Sequence, residues 1–172
     1  LLDNELETLK NHLSKFTTEI DCTYKLDEET SFLNEIQRIC SEAEQAVRSG
    51  SQHLIITDNN INKDRIALPM ILATSAVHSY LIKNNLRTFT SLNVSSKECL
   101  DVHYFAVLIG VGATTVNASL VEKLISNRYK KNIYQNTDFP QLIKNFKKSI
   151  EKGLRKIISK MGISVISSYR GG

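Results

Sequence analysis

Cysteine is scarce in this 172-residue sequence: Cys22, Cys40 and Cys99 are the only three. An odd number with no Cys-x-x-Cys spacing offers neither a disulfide framework nor a sulfur-rich metal motif. With no signal-like apolar segment, that usage points to a reducing compartment. No apolar run approaches the roughly 20 residues of a membrane-spanning helix, so a soluble, intracellular protein without a membrane partner is expected. There is no N-terminal cysteine, no cluster of three cysteines and no glycine-rich phosphate cradle, and hence no expected catalytic, cofactor-binding or metal-binding residue. The sequence has no initiator Met, no internal repeat and no low-complexity segment.

What is present is ordinary for a globular protein, with 41% hydrophobic and 23% charged residues. A chain of this length can form one domain that buries roughly 70% of its unfolded surface. The net charge of +4 is modest, and much of it sits in Lys144, Lys147, Lys148, Lys152, Arg155 and Lys156. Nucleic-acid binding would call for interleaved aromatics or a docking motif. Only Phe146 is nearby, on the apolar face, so a solvated helix face is expected and nucleic acid is not a partner. Ile, Lys and Asn number 18, 15 and 14. Their A/T-rich codons suggest an AT-rich genome such as that of a plastid or a reduced bacterium.

Periodicity divides the chain into alternating elements. Residues 1–29 begin with a short helical pattern (Leu2, Leu6, Leu9, Leu13) and then turn irregular and polar, a lead-in from something upstream. From Thr30, the spacing of Phe32, Ile36, Ile39, Ala43 and Val47 predicts a helix ended by Ser49-Gly50. His53–Thr57 reads as a buried strand. Leu68–Lys83, with Pro69 at its start, reads as a helix apolar nearly all round and buried between other elements. Arg87–Val94 alternates like a strand near an edge, and Ser95-x-x-Glu98 reads as the capping box of a third helix through Val102, Phe105 and Ile109. A fourth helical pattern (Leu120, Leu124, Ile125) leads to a polar linker over 128–138. The last helix is the clearest, running from Leu142 through Phe146, Ile150, Leu154 and Ile157 to Met161. Gly153 inside it costs about 1 kcal/mol relative to Ala and signals a close approach to a neighbour. This alternation predicts an α/β fold with a largely parallel sheet covered by helices on both faces, either an open sheet or an incomplete barrel.

Few positions suggest chemistry. Gly110-Val111-Gly112-Ala113-Thr114-Thr115 starts like a dinucleotide fingerprint. However, Thr115 replaces its final glycine and it follows a helix, so a tight turn is expected. His78 and His103 lack ligand-spaced partners and read as core or supporting histidines. Asp58 directly follows a buried strand, where parallel-sheet proteins place functional side chains, and Arg65 is a candidate partner for it. Lys160, Ser164, Tyr169 and Arg170 flank the β-branched run Ile163–Ile166, which reads as a final strand.

The terminal string Lys152-Gly153-Leu154, Ser159-Lys160-Met161-Gly162-Ile163-Ser164 and Ser168-Tyr169-Arg170-Gly171 resembles a segment late in the central domain of the glutamate synthase large subunit. Arg38–Glu44 with Ala46–Gly50, Leu68–Ala73 through Ala76-Val77-His78, and Val102–Ala106 to Gly110–Ala113 are similar to that family in the same order. The likeness covers almost the whole chain. Departures are Asn59-Asn60 where an Arg often follows the Asp, Ser79 and Tyr104 for second histidines, Val165 for a Thr and Ala118 for a Pro.

The resemblance implies an α/β central domain, here residues 30–172, cut from a larger multidomain chain and truncated at its C-terminal end. The whole enzyme would make L-glutamate from L-glutamine and 2-oxoglutarate. It would use an N-terminal Cys-nucleophile amidotransferase domain and a later barrel holding FMN and a [3Fe–4S] cluster. The segment itself would bind no cofactor and would link the two, with Lys160, Ser164, Tyr169 and Arg170 contacting neighbouring domains. Ferredoxin as electron donor and a plastid stroma follow if the codon bias is that of a plastid; a bacterial cytoplasm is the alternative. From another class, a non-catalytic α/β interaction domain would dock through the basic helix face of residues 144–156.

Overall fold

The computed structural model describes residues 1–25, 31–134 and 137–172. Four strands form one parallel sheet: β1 (Thr17–Asp21), β3 (His53–Thr57), β5 (Ser91–Ser95) and β6 (Thr115–Asn117). Their spatial order is their chain order, β1-β3-β5-β6, in an open sheet rather than a closed barrel. The remaining two strands, β2 (Thr23–Lys25) and β4 (Arg65–Ala67), form an antiparallel ribbon beyond the C-terminal ends of β1 and β3.

When parallel strands follow one another in a single direction, right-handed crossovers put every crossover helix on the same face. Helices α2 (Phe32–Arg48), α3 (Met70–Lys83) and α4 (Val102–Gly110) accordingly pack side by side over one face. Beneath them Ile20, Leu54, Ile56, Leu92, Val94 and Val116 form the core. Helix α1 (Asp3–His12) covers the other face. It is tied near its start by Asn117 Nδ2 donating to Asp3 Oδ1 (2.9 Å) and near its end by the Lys10–Glu19 ion pair (2.8 Å). Helices therefore lie on both faces, in unequal number. The outermost pair, α5 (Val121–Lys130) and α6 (Phe139–Lys160), pack on each other, and α6 packs on α4.

Several sequence expectations are corrected by tertiary context. The lead-in stretch expected to be irregular supplies β1 and β2, although residues 26–29 and Thr30 fall outside the described residues. Strand β5 is interior, and Arg87–Phe89 before it is a 3₁₀ turn. Its alternation has another cause, since Asn93 and Ser95 face not water but a hydrogen-bonded polar layer on the α1 side of the sheet, while Ser91 at the strand's start is half-buried. In that layer Ser95 Oγ donates to Asn117 Oδ1 (2.9 Å) and Thr115 Oγ1 to Asn93 Oδ1 (2.8 Å).

Ser95 ends β5 and so cannot cap α4, whose cap is Asp101 accepting from the Tyr104 N–H (2.8 Å). Glu98 instead caps α3, taking the Met70 N–H at 3.0 Å and the Tyr104 hydroxyl. Helix α3 is wet on one side at Leu72 and Ile82. The stripe of α6 is half-buried except at Ile143, because it meets other helices rather than the sheet. Ile163–Ile166 forms no strand: no ladder reaches it, Val165 and Ile166 are exposed, and Ile166–Tyr169 is a 3₁₀ turn.

Candidate functional site

The two ends of the parallel sheet carry different chemistry. At the C-terminal end Asp58 is fully buried. Its oxygens accept the Lys97 N–H at 2.8 and 3.0 Å and the Ser96 hydroxyl at 3.3 Å. Burial pushes its pKa up while the Lys97 N–H holds it down. Arg65 does not pair with it. That guanidinium goes to Asp21 Oδ2 (3.1 Å), Thr23 Oγ1 (2.9 Å) and the Thr23 carbonyl (2.6 Å), tying β4 to β2. Asp58 thus clasps the loop after β5 to the end of β3, and its hydrogen-bonding capacity is spent on that loop.

At the N-terminal end, the turn after α4 and the terminal turn meet. Gly110 accepts the Gly171 N–H at 2.9 Å, and a Cβ at Gly110 would lie 3.6 Å from the Tyr169 ring. Tyr169 therefore seats where α4 stops, and Arg170 is carried into a cleft of about 1100 Å³ beside it. Gly112, at φ +118°, passes so near His78 that a Cβ would sit 2.3 Å from the imidazole. The Gly-Val-Gly turn is filled by protein and leaves no approach for a phosphate, as the expected tight turn requires.

Within the cleft Arg87 Nε donates to His78 Nδ1 (2.9 Å), and its other nitrogens donate to the carbonyls of Thr90 (2.6 Å) and Gly112 (2.9 Å). Burial, then the Arg87 and Arg170 charges, hold His78 below its usual pKa, so the ring is neutral at neutral pH. Burial and the Arg170 charge likewise lower Arg87. The Nε of Arg170 is buried and has no hydrogen-bond partner among the described residues.

Of the residues anticipated as interdomain contacts, Tyr169 and Arg170 are half-buried and act together at this end. Lys160 is exposed at the end of α6, and Ser164 lies on a shallow groove beside α6. His103 is exposed rather than in the core. Sequence reasoning missed Arg87; its signal was a cation just before a strand, within reach of a histidine from the preceding helix. Burial pushes the Cys22 and Cys99 thiols up to about 12 and raises Cys40, which makes all three protonated, unreactive core thiols. Among the described residues no three His, Cys, Asp or Glu side chains gather as metal ligands, and no helix is long and apolar enough to cross a membrane.

An open parallel α/β domain with a docked terminal turn is thus defined. The family described as "Glutamate synthase central domain" matches residues 1–172, and the chain belongs to that family. The glutamate synthase [NADPH] large chain of Azospirillum brasilense is 50% identical over 169 residues, covering 98% of this chain and 11% of that protein. The chloroplastic ferredoxin-dependent glutamate synthase of Spinacia oleracea is 40% identical, covering 79% and 9%. The glutamate synthase [NADH] of Schizosaccharomyces pombe is 38% identical, covering 88% and 7%. The chain spans about a tenth of the length of these curated relatives.

Proposed function

We propose that this domain is a non-catalytic connector within a glutamate synthase, holding a glutaminase domain and an FMN domain in fixed relation so that ammonia passes between them without loss to water. The whole enzyme would form L-glutamate from L-glutamine and 2-oxoglutarate, with FMN and a [3Fe–4S] cluster held elsewhere. Membership of the central-domain family carries this reading. It is supported by the way Tyr169 and Arg170 are fastened to the end of α4 by the Gly171–Gly110 bond of 2.9 Å, which would couple this domain to its neighbours.

Residue composition pointed to ferredoxin and a plastid. The 50% identity to a bacterial chain, against 40% and 38% for the plant and yeast ones, supports a bacterial cytoplasm. A second reading, docking through the basic helix, draws on the exposure of Lys144, Lys148, Lys152, Arg155 and Lys156.

The test is Arg170→Ala in the full-length synthase. Flavin content is expected to be retained, while glutamine hydrolysis outruns glutamate synthesis. A preserved one-to-one ratio, or loss of FMN, would overturn the connector role of this contact.

A further inference from the structure

The cleft at the N-terminal end of the sheet holds two guanidinium groups that no carboxylate among the described residues neutralises. Arg87 is ringed by neutral acceptors, the His78 ring and the carbonyls of Thr90 and Gly112. Arg170 comes close enough for its charge to act on both Arg87 and His78. Its Nε is buried and unpartnered among the described residues. No Asp or Glu stands among the described residues lining the cleft, and Arg48 on its rim is already taken by Glu44 at 2.8 Å. Bringing like charges together out of water costs free energy unless an anion completes the site. A lone buried guanidinium donor also bears a desolvation penalty that a charge-assisted hydrogen bond would remove.

We propose that this cleft is a carboxylate-binding site, with Arg170 as the donor to the ligand and Arg87, fixed by His78, as a second positive charge beside it. Three features favour a carboxylate over inorganic phosphate. The cleft, at about 1100 Å³, is large for a bare ion. Val47, Leu86 and Phe89 give it apolar walls suited to a carbon skeleton. The Val111 and Gly112 N–H groups of the Gly-Val-Gly turn are spent on the Val107 and Ile109 carbonyls rather than offered as a phosphate cradle, and Gly112 is closed by the His78 ring. The planar guanidinium fork of Arg170, whose Nε is unpartnered among the described residues, matches carboxylate oxygens in bidentate fashion, while Arg87, whose nitrogens are engaged by His78, Thr90 and Gly112, adds its fixed charge. The carboxylate comes either from a free metabolite or from an Asp or Glu side chain elsewhere in the synthase. Only the second source rests on the connector reading.

The test titrates the 172-residue protein with glutarate, and separately with inorganic phosphate, while following the His78 ring by NMR. Glutarate is expected to bind saturably in the low-millimolar range or tighter, and to raise the His78 pKa by offsetting the guanidinium charges. Arg170→Gln should weaken binding at least tenfold, and Arg170→Lys should retain part of it. Arg87→Gln should abolish it, with a thermal melt showing that the variant is folded. Absence of saturable glutarate binding, unchanged binding in Arg170→Gln, or phosphate binding more tightly than glutarate would each overturn the assignment. In the intact synthase, a His78 response to glutarate identifies a free carboxylate. No response there, with binding kept by the shorter chain, identifies a protein side chain, and either source fulfils the proposal. The ratio of glutamine hydrolysis to synthesis tests the connector role independently of this titration.

Discussion

Replacing Gly153 with Ala should destabilise the domain even though it improves the helix. On propensity alone the change in the middle of α6 would gain about 1 kcal/mol. The structure reverses the sign, because a Cβ at 153 would lie 2.6 and 2.7 Å from the two methyls of Val102 and 3.2 Å from its Cβ. Val102 opens α4, and its β-branched side chain has few rotamers with which to move aside. The helices must therefore separate, at the typical cost of overpacking, about 1–3 kcal/mol. The net expectation is a loss of about 1 kcal/mol, or a drop of about 2–4 °C in Tm for a chain of this size. Urea unfolding of the single variants and of Gly153→Ala/Val102→Ala checks the argument. Val102→Ala alone removes packing, but in its presence Gly153→Ala should become neutral or stabilising, a coupling that a cycle measures directly. A Gly153→Ala variant about 1 kcal/mol more stable than the parent would refute the close approach of α6 and α4.

Ile150→Asp and Leu154→Asp should each cost about 2 kcal/mol or more by putting a charge on the half-buried stripe of α6, whereas Lys148→Asp on the exposed face should stay within about 0.5 kcal/mol; equal melting shifts would show that the helical phase is wrong. His78 titrates lower in the folded chain than its ordinary value of 6.5, so the unfolded chain binds more protons in that window and stability should fall as pH drops through 6.5. His78→Gln, which keeps an acceptor for Arg87, should flatten that limb, as urea unfolding at pH 7.5 and 5.5 would report. Arg65→Ala should loosen the β2–β4 ribbon by about 1 kcal/mol, read as faster amide exchange at Leu68, whose N–H bonds the Cys22 carbonyl at 2.8 Å.

The sequence by itself determined what depends on local repetition. The stripes of α2 and α6, the apolar run of β3, the turn at Gly110-Val111-Gly112 and the crowding at Gly153 were all legible, because each is written in consecutive residues at a fixed period. The collinear motifs also led to the right family. Tertiary structure decided everything set by a distant partner. Ser91, Asn93 and Ser95 read as an edge strand until β3 and β6 supplied their hydrogen bonds, and Glu98 read as a cap for its own helix although it caps α3. The β-branched run Ile163–Ile166 had strand propensity but no ladder to join, and propensity yields where no partner supplies hydrogen bonds. Arg65 and Asp58 are near in sequence yet bond different partners, whereas Arg87, Thr114 and Arg170 are far apart in sequence and share one cleft. Periodicity records which face of an element is apolar; it carries no record of which charges the folded chain leaves facing one another.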